Sequence, residues 1–191
     1  MTTYFTSDVH FGHKKLVAEE TRSRPFTSVE EHDEAIIRNW NSTVREGDVV
    51  FNLGDLEISN KSHTREMVSR LNGTHILIRG NHDDKSDDFY HSCGITLVLP
   101  EAYIQNFGYT FWLHHIPMDN VEPKRPELHR PDARQVYDIP LCGHIHGRWK
   151  FKALNLNVGL DVWDYKPVSA FELVRAYKAK YKSVTIPRVR K

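Results

Sequence analysis

Five apolar runs in this chain, TTYFTS, DVVFNL, HILIR, TFWL and IPLC, each break off into a short polar cluster. The clusters are Asp8-Val9-His10, Gly54-Asp55, Gly80-Asn81-His82-Asp83, His115 and Gly143-His144-Ile145-His146. Runs this short, rich in β-branched and aromatic residues, read as β-strands. Ligands of open α/β sheets collect outside the carboxyl ends of the strands. A chain that ends five strands on residues of one chemical kind is therefore predicted to gather them at one end of its sheets. One such pair is compatible with chance; five in series constrain the fold.

The residue types point to metal. In an extended segment, side chains at i and i+2 leave from the same face. On that geometry Asp8 and His10 grip one ion, and His144 and His146 present two imidazoles side by side. The glycines before Asp55, Asn81 and His144 are expected to let the backbone turn sharply out of each strand. Imidazole, carboxylate and amide oxygen form a mixed ligand set that suits Mn²⁺, Fe, Zn²⁺ or Ni²⁺ better than the all-oxygen shell of Ca²⁺. His114 and His115 are adjacent in a strand and face opposite ways, so only one of them is expected to be a ligand.

The clusters, read as D-x-H, G-D, G-N-H-[DE], H and G-H-x-H in that order, resemble the calcineurin-like metallophosphoesterases without substitution. The stretches FTSDVHFGH, NWNSTVREGDVVFNLGD and NVGLDVWDYKPVS are similar to a small bacterial and phage branch of that family, and the resemblance spans roughly residues 3–174. It implies an α/β fold, a four-layer α/β/β/α sandwich of two mixed sheets flanked by helices. It also implies two divalent ions, with Mn²⁺ the leading candidate. Asp8, His10 and His146 would hold the first, Asn81, His115 and His144 the second, and Asp55 would bridge both; the branch pattern His-x-Pro selects His115 over His114.

The activity implied is hydrolysis of a phosphate ester, with a metal-bridging hydroxide as nucleophile and His82 as general acid to the leaving group. A phosphodiester such as a nucleotide or cyclic nucleotide is the expected substrate, because a diester carries one negative charge and the clusters have little arginine near them, only Arg79 and Arg148. A phosphomonoesterase using the same residues is the alternative. A non-enzymatic scaffold is the reading from a different class, but such relatives usually lose a ligand or the leaving-group histidine, and here all are present. His13, which closes FTSDVHFGH, and Arg148 are candidate substrate contacts.

Composition adds bounds. At 191 residues, one domain over 1–177 is expected, followed by a basic tail over 178–191. A net charge of +1 gives no global field toward nucleic acid or membranes, although the tail offers a local contact to nucleic-acid phosphates. No apolar stretch approaches the ~20 residues of a membrane span, and Met1-Thr2-Thr3 carries no leader pattern. A cytoplasmic protein is expected, with Cys93 and Cys142 as reduced packing thiols.

Ser28-Val29-Glu30-Glu31 has the form of a capping box opening a helix to about Thr43, with Ile36, Ile37, Trp40 and Val44 inward. Another helix is predicted over Ser62 to Leu71, with Met67, Val68 and Leu71 inward. AYIQ and YTFWL form a hairpin through Asn106-Phe107-Gly108, and ALNLNV and SAFELV are read as the last strands. His32, His63, His75, His91 and His129 show no useful spacing and are expected in solvent. The segment from Asp119 to Asp138, with Pro123, Pro126 and Pro131, is either a substrate-facing lid or a plain surface excursion.

Overall fold

In a computed structural model of the chain, residues 1–17, 24–118 and 137–181 are described. The elements in order are β1 (Thr3–Thr6), α1 (Lys14–Val17), α2 (Val29–Thr43), β2 (Val49–Asn52), α3 (Lys61–Ser69), β3 (Thr74–Ile78), α4 (Asp87–Ser92), β4 (Ile95–Leu99), β5 (Ala102–Asn106), β6 (Tyr109–Leu113), β7 (Ile139–Cys142), β8 (Phe151–Lys152), β9 (Asn155–Asn157), β10 (Val168–Ser169) and α5 (Ala170–Lys180). They build two mixed five-stranded sheets, β10-β1-β2-β3-β4 and β5-β6-β7-β9-β8. The mixed α/β architecture of two sheets with helices is the expected one.

β1, β2, β3 and β4 run parallel in the first sheet, and β6, β7 and β9 run parallel in the second. Parallel pairing is what brings carboxyl ends to one edge. Two apolar clusters hold the layers. One joins Ile36, Ile37 and Trp40 of α2 and Met67 and Val68 of α3 to Val50 and Leu77 of the first sheet. The other lies between the sheets, where Phe5 of β1 stacks on Phe51 and meets Phe111 of the second sheet, at ring-centroid separations of 5.7 and 5.5 Å. Aromatic pairs of this kind contribute about 0.5–1.5 kcal/mol beyond the area they bury. Leu173, Val174 and Tyr177 of α5 join this second cluster.

The local chemistry explains the boundaries. Ser28 caps α2 by accepting the Glu31 N–H, but the Glu31 carboxylate reaches back to Thr27 rather than completing the box with Ser28. Phe107 and Gly108 both take positive φ, 49° and 74°, the combination that a two-residue type I′ hairpin between β5 and β6 requires.

Two expectations are corrected. SAFELV is not a strand: Ser169 and Glu172 form a reciprocal capping box, and the segment runs into α5. That helix continues through Lys178 and Lys180, so the boundary placed after Tyr177 falls within it. Nor are His32 and His75 in solvent; they are 1% and 8% exposed. His32 is enclosed by Arg24 and Asp33, and His75 by Trp40 and the Leu71 carbonyl. His129, most of the Pro-rich segment (119–136) and residues 182–191 lie outside the described residues. Cys93 and Cys142 are buried thiols, and no described helix is long and apolar enough to cross a membrane.

Candidate metal centre

Pairing between β1 and β2 continues past both strand ends, with Asp8 N–H to the Gly54 carbonyl and His10 N–H to the Asp55 carbonyl, each at 2.9 Å. The same happens after β6 and β7, where Gly143 N–H donates to the His115 carbonyl at 2.9 Å. The polar clusters are thus carried a few residues beyond each sheet as a shared edge. The two edges are then tied together: Asp8 accepts the His144 N–H on both carboxylate oxygens, at 2.9 and 3.0 Å.

Three of the predicted residues, Asp8, His10 and His146, form one group able to hold an ion, and Asp55, His115 and His144 form another. Asn81 completes the second group, its Oδ1 lying 3.0 Å from His115 Nε2 and 2.8 Å from His144 Nδ1. Asp55 faces both. Its Oδ2 is 3.4 Å from His115 Nε2 and 3.6 Å from His10 Nε2.

The backbone that achieves this is not the extended one expected. Asp8, His10, Asp55, His144 and His146 all have left-handed backbone, with φ of 57°, 55°, 56°, 70° and 49°. The i, i+2 pairs converge because each member turns out of line, not because a strand presents them on one face. Such conformations cost about 1–3 kcal/mol each in residues with a Cβ, and they concentrate at functional sites. Of the three glycines, Gly54 takes the positive φ expected of it, 99°, and the other two act differently. Gly80 and Gly143 do not need a positive φ; a Cβ at Gly80 would run into Asp55, and one at Gly143 into Ser7 and Asp8. They permit contact between loops.

The donor chemistry fits cations. His115 Nδ1 lies 2.7 Å from the Leu53 carbonyl and must donate to it. Its Nε2 is left among the Asp55 carboxylate and the Asn81 oxygen, both acceptors. Only a proton or a metal satisfies that arrangement. Although burial opposes it, the Asp55 hydrogen bond and the charges of Asp8 and Asp55 raise the His115 pKa to about 9. His10 has no hydrogen-bond partner at either buried ring nitrogen, and burial pushes its pKa down to about 2. A neutral imidazole with its Nε2 turned toward a carboxylate has the donor chemistry of a metal ligand. Burial also lowers the pKa of His144, which favours the neutral ring that a metal ligand requires.

His82 is exposed at the rim. Its backbone N–H donates to Asp55 Oδ1 at 3.0 Å, and its ring lies 5.7 Å from that of His10. His13 packs 5.2 Å from the same ring. Both line an open cleft of about 620 Å³ with Lys14, Lys15, Asn60 and His63. Arg148 is exposed in a 3₁₀ turn that begins at His146. Arg79 is otherwise engaged: it donates to the Asp83 carbonyl, pairs with Asp87 and lies over the Tyr90 ring. His114 points away from the groups, stacked on Trp112 at 3.8 Å between centroids.

Several contributing residues lay within the quoted stretches without an assigned metal role, Asp83 in Gly80-Asn81-His82-Asp83 and Asn157 and Asp161 in NVGLDVWDYKPVS. Asp83 accepts three backbone N–H groups, from Asp55, Leu56 and Gly80. Asn157 Nδ2 donates to the His146 carbonyl at 2.7 Å. Arg24 and Asp161 back the first group.

Residues 1–160 match the domain family described as the calcineurin-like phosphoesterase superfamily domain. The chain is 33% identical to the uncharacterized protein MJ1445 of Methanocaldococcus jannaschii over 184 residues, covering 90% of this chain and 89% of that one. It is 27% identical to the gene 66 protein of Mycobacterium phage D29, covering 84% and 88%. The fold is shared with AQ665 of Aquifex aeolicus, a protein of unknown function, at a TM-score of 0.69 and 23% identity, covering 92% and 98%. With the domain matched over nearly its whole described body and the ligand types gathered in two groups, the chain belongs to the calcineurin-like phosphoesterase superfamily, a family of metal-dependent phosphoesterases.

Proposed function

We propose that this chain is a dinuclear phosphodiesterase acting on a nucleotide-like diester. The observation that carries the reading is Asp55, whose one carboxylate oxygen lies between His10 of the first group and His115 of the second. Asp8, His10 and His146 hold one divalent ion in this reading, and Asn81, His115 and His144 the other. Bound there, two such ions, Mn²⁺ by preference for this mixed ligand set, polarise a phosphoryl group and lower the pKa of water toward neutrality.

The protein's own groups do the rest. His82, at the rim, protonates the departing oxygen as general acid. The Asp55 contact to its backbone fixes where the imidazole starts from. His13, Lys14 and Lys15 line the cleft beyond His82, where the leaving half of a diester lies. The diester preference is supported by the shortage of exposed arginine beside the two groups. Arg79 is consumed by Asp83, Asp87 and Tyr90 and Arg24 is buried behind the first group with its donors engaged, which leaves Arg148 as the exposed arginine near the groups among the described residues. A dianionic monoester calls for additional charge-assisted donors.

The test compares kcat/KM on bis-p-nitrophenyl phosphate and p-nitrophenyl phosphate at matched pH and Mn²⁺, with a chelator control. Chelator-sensitive turnover with diester preference, after allowance for intrinsic reactivity, is expected. A monoester preference would shift the reading to a phosphatase.

A further inference from the structure

The stretch NVGLDVWDYKPVS is matched by no step of the reaction above, yet its Asp161 lies beside a proposed ligand. We propose that Arg24 and Asp161 are positioning residues for the Asp8, His10 and His146 group, one pinning the backbone of its loop and the other facing the ring of its histidine. The inference rests on the dinuclear reading and assigns a device specific to one of its two halves.

Arg24 is 2% exposed, and all its N–H donors are engaged. Nε donates to Asp161 Oδ1 at 3.0 Å and Nη2 to Asp161 Oδ2 at 2.8 Å. This fork-to-carboxylate pairing is the geometry in which a buried guanidinium is compensated. Nη2 also donates to the Asp8 carbonyl, and Nη1 donates to the Val9 carbonyl at 3.0 Å. Those two carbonyls belong to the turn in which Asp8 and His10 hold left-handed backbone. Conformations of that kind persist only when the surroundings over-determine them. Arg24 supplies that constraint from the side opposite the ligand atoms.

Asp161 extends the constraint to His146. Its Oδ2 is 3.6 Å from His146 Nδ1, while His146 Nε2 turns toward Asp8 Oδ1 at 3.9 Å. A carboxylate on the Nδ1 side, just beyond hydrogen-bond distance, favours the tautomer that leaves Nε2 as the ligand, the arrangement common behind metal-bound imidazoles. The network has a further anchor. A guanidinium only donates, so His32 Nε2, 2.7 Å from Arg24 Nη1, is the acceptor. His32 Nδ1–H therefore donates to Asp33 Oδ1 at 2.7 Å. Asp33 in turn accepts the Gly12 N–H at 3.1 Å, fixing the chain just after His10. No comparable buried ion pair backs Asp55, His115 and His144 among the described residues, so the effect is predicted to be one-sided.

The experiment uses the full chain with Mn²⁺ alone as probe, reading binding stoichiometry by equilibrium dialysis and ion pairing by electron paramagnetic resonance. Wild type should bind two ions that are spin-coupled. Asp161→Asn, which keeps shape and one acceptor for Arg24, should weaken one ion by ~10–100-fold and leave the other unchanged. At intermediate Mn²⁺ the coupled signal should give way to that of an isolated ion. Arg24→Lys should act in the same direction, and circular dichroism in chelator should show both variants folded. Equal weakening of both ions would overturn the inference by showing a merely structural role, as would no change in either. Wild type binding a single ion would overturn the dinuclear reading and this inference together, whereas failure confined to the variants overturns this inference alone.

Discussion

The carboxylate of Asp83 accepts the backbone N–H of Asp55 at 2.8 Å, so the turn after β3 is buttressed directly against the turn after β2. The same side chain accepts N–H groups of Leu56 at 3.0 Å and Gly80 at 2.8 Å, and it is 3% exposed. Asp83→Ala would leave the Asp55 and Leu56 donors buried, and the half-buried Gly80 donor, without partners. An unsatisfied buried group costs about 1–3 kcal/mol, and a total loss of at least ~3 kcal/mol is expected. Urea denaturation in chelator measures it. A loss under ~1 kcal/mol would mean that water takes over all three contacts.

Asp83 was legible as part of the Gly80-Asn81-His82-Asp83 cluster, but its partners Asp55 and Leu56, on another strand end, were not. The ligand types and their order could be read because each cluster is local, and the β5–β6 hairpin because Asn106-Phe107-Gly108 carries its turn chemistry within three residues. The left-handed backbone at Asp8, His10, Asp55, His144 and His146 could not, since Asp and His are enriched at positive φ but most of them still adopt negative φ. Arg24 and Asp161 stand 137 positions apart, and the burial of His32 and His75 depends on how whole elements pack, not on any spacing of the histidines themselves. SAFELV was misread for a different reason. Its apolar pattern suits a strand, but Ser169 and Glu172 are three apart and cap a helix.

His82 and the ligands should separate cleanly. The His82 side chain is exposed and belongs to neither ion-binding group. His82→Ala should keep its Mn²⁺ stoichiometry while kcat falls by ~10²–10⁴-fold, as for loss of a positioned general acid. The fall should be smaller with a nitrophenolate leaving group, which departs without a proton. Loss of metal in this variant would assign His82 to the ligand set instead.

The adjacent histidines give a second contrast. His115 Nε2 faces Asp55 and Asn81, whereas His114 stacks on Trp112 and its Nδ1 lies 2.7 Å from the Ile116 carbonyl. His115→Ala should lose Mn²⁺ and turnover. His114→Ala should retain both but melt several degrees lower, since truncating a packed aromatic ring costs about 1–3 kcal/mol. Metal analysis beside a thermal melt decides, and equal metal loss in the two variants would refute the assignment.

His75 should give the fold a measurable acid sensitivity. It lies on β3, packed 5.7 Å from the Trp40 ring, with Nε2 3.3 Å from the Leu71 carbonyl. Burial lowers its pKa below 6.5, and the Leu71 hydrogen bond offsets this only in part. In the unfolded chain the ring titrates near 6.5. Below that pH the unfolded state takes up a proton that the folded state refuses, so stability rises with pH across this window and is lost as pH falls toward the folded pKa. Above 6.5 both states are neutral and the contribution is complete. His75→Gln removes the titration while keeping a donor for the Leu71 carbonyl. Between pH 7.5 and 5.5, in chelator so that metal linkage is absent, wild type should lose up to ~1 kcal/mol more than the variant. Urea melts at the two pH values provide the difference, in which all other titrating groups cancel. Parallel losses would mean that His75 accepts its proton without leaving the fold.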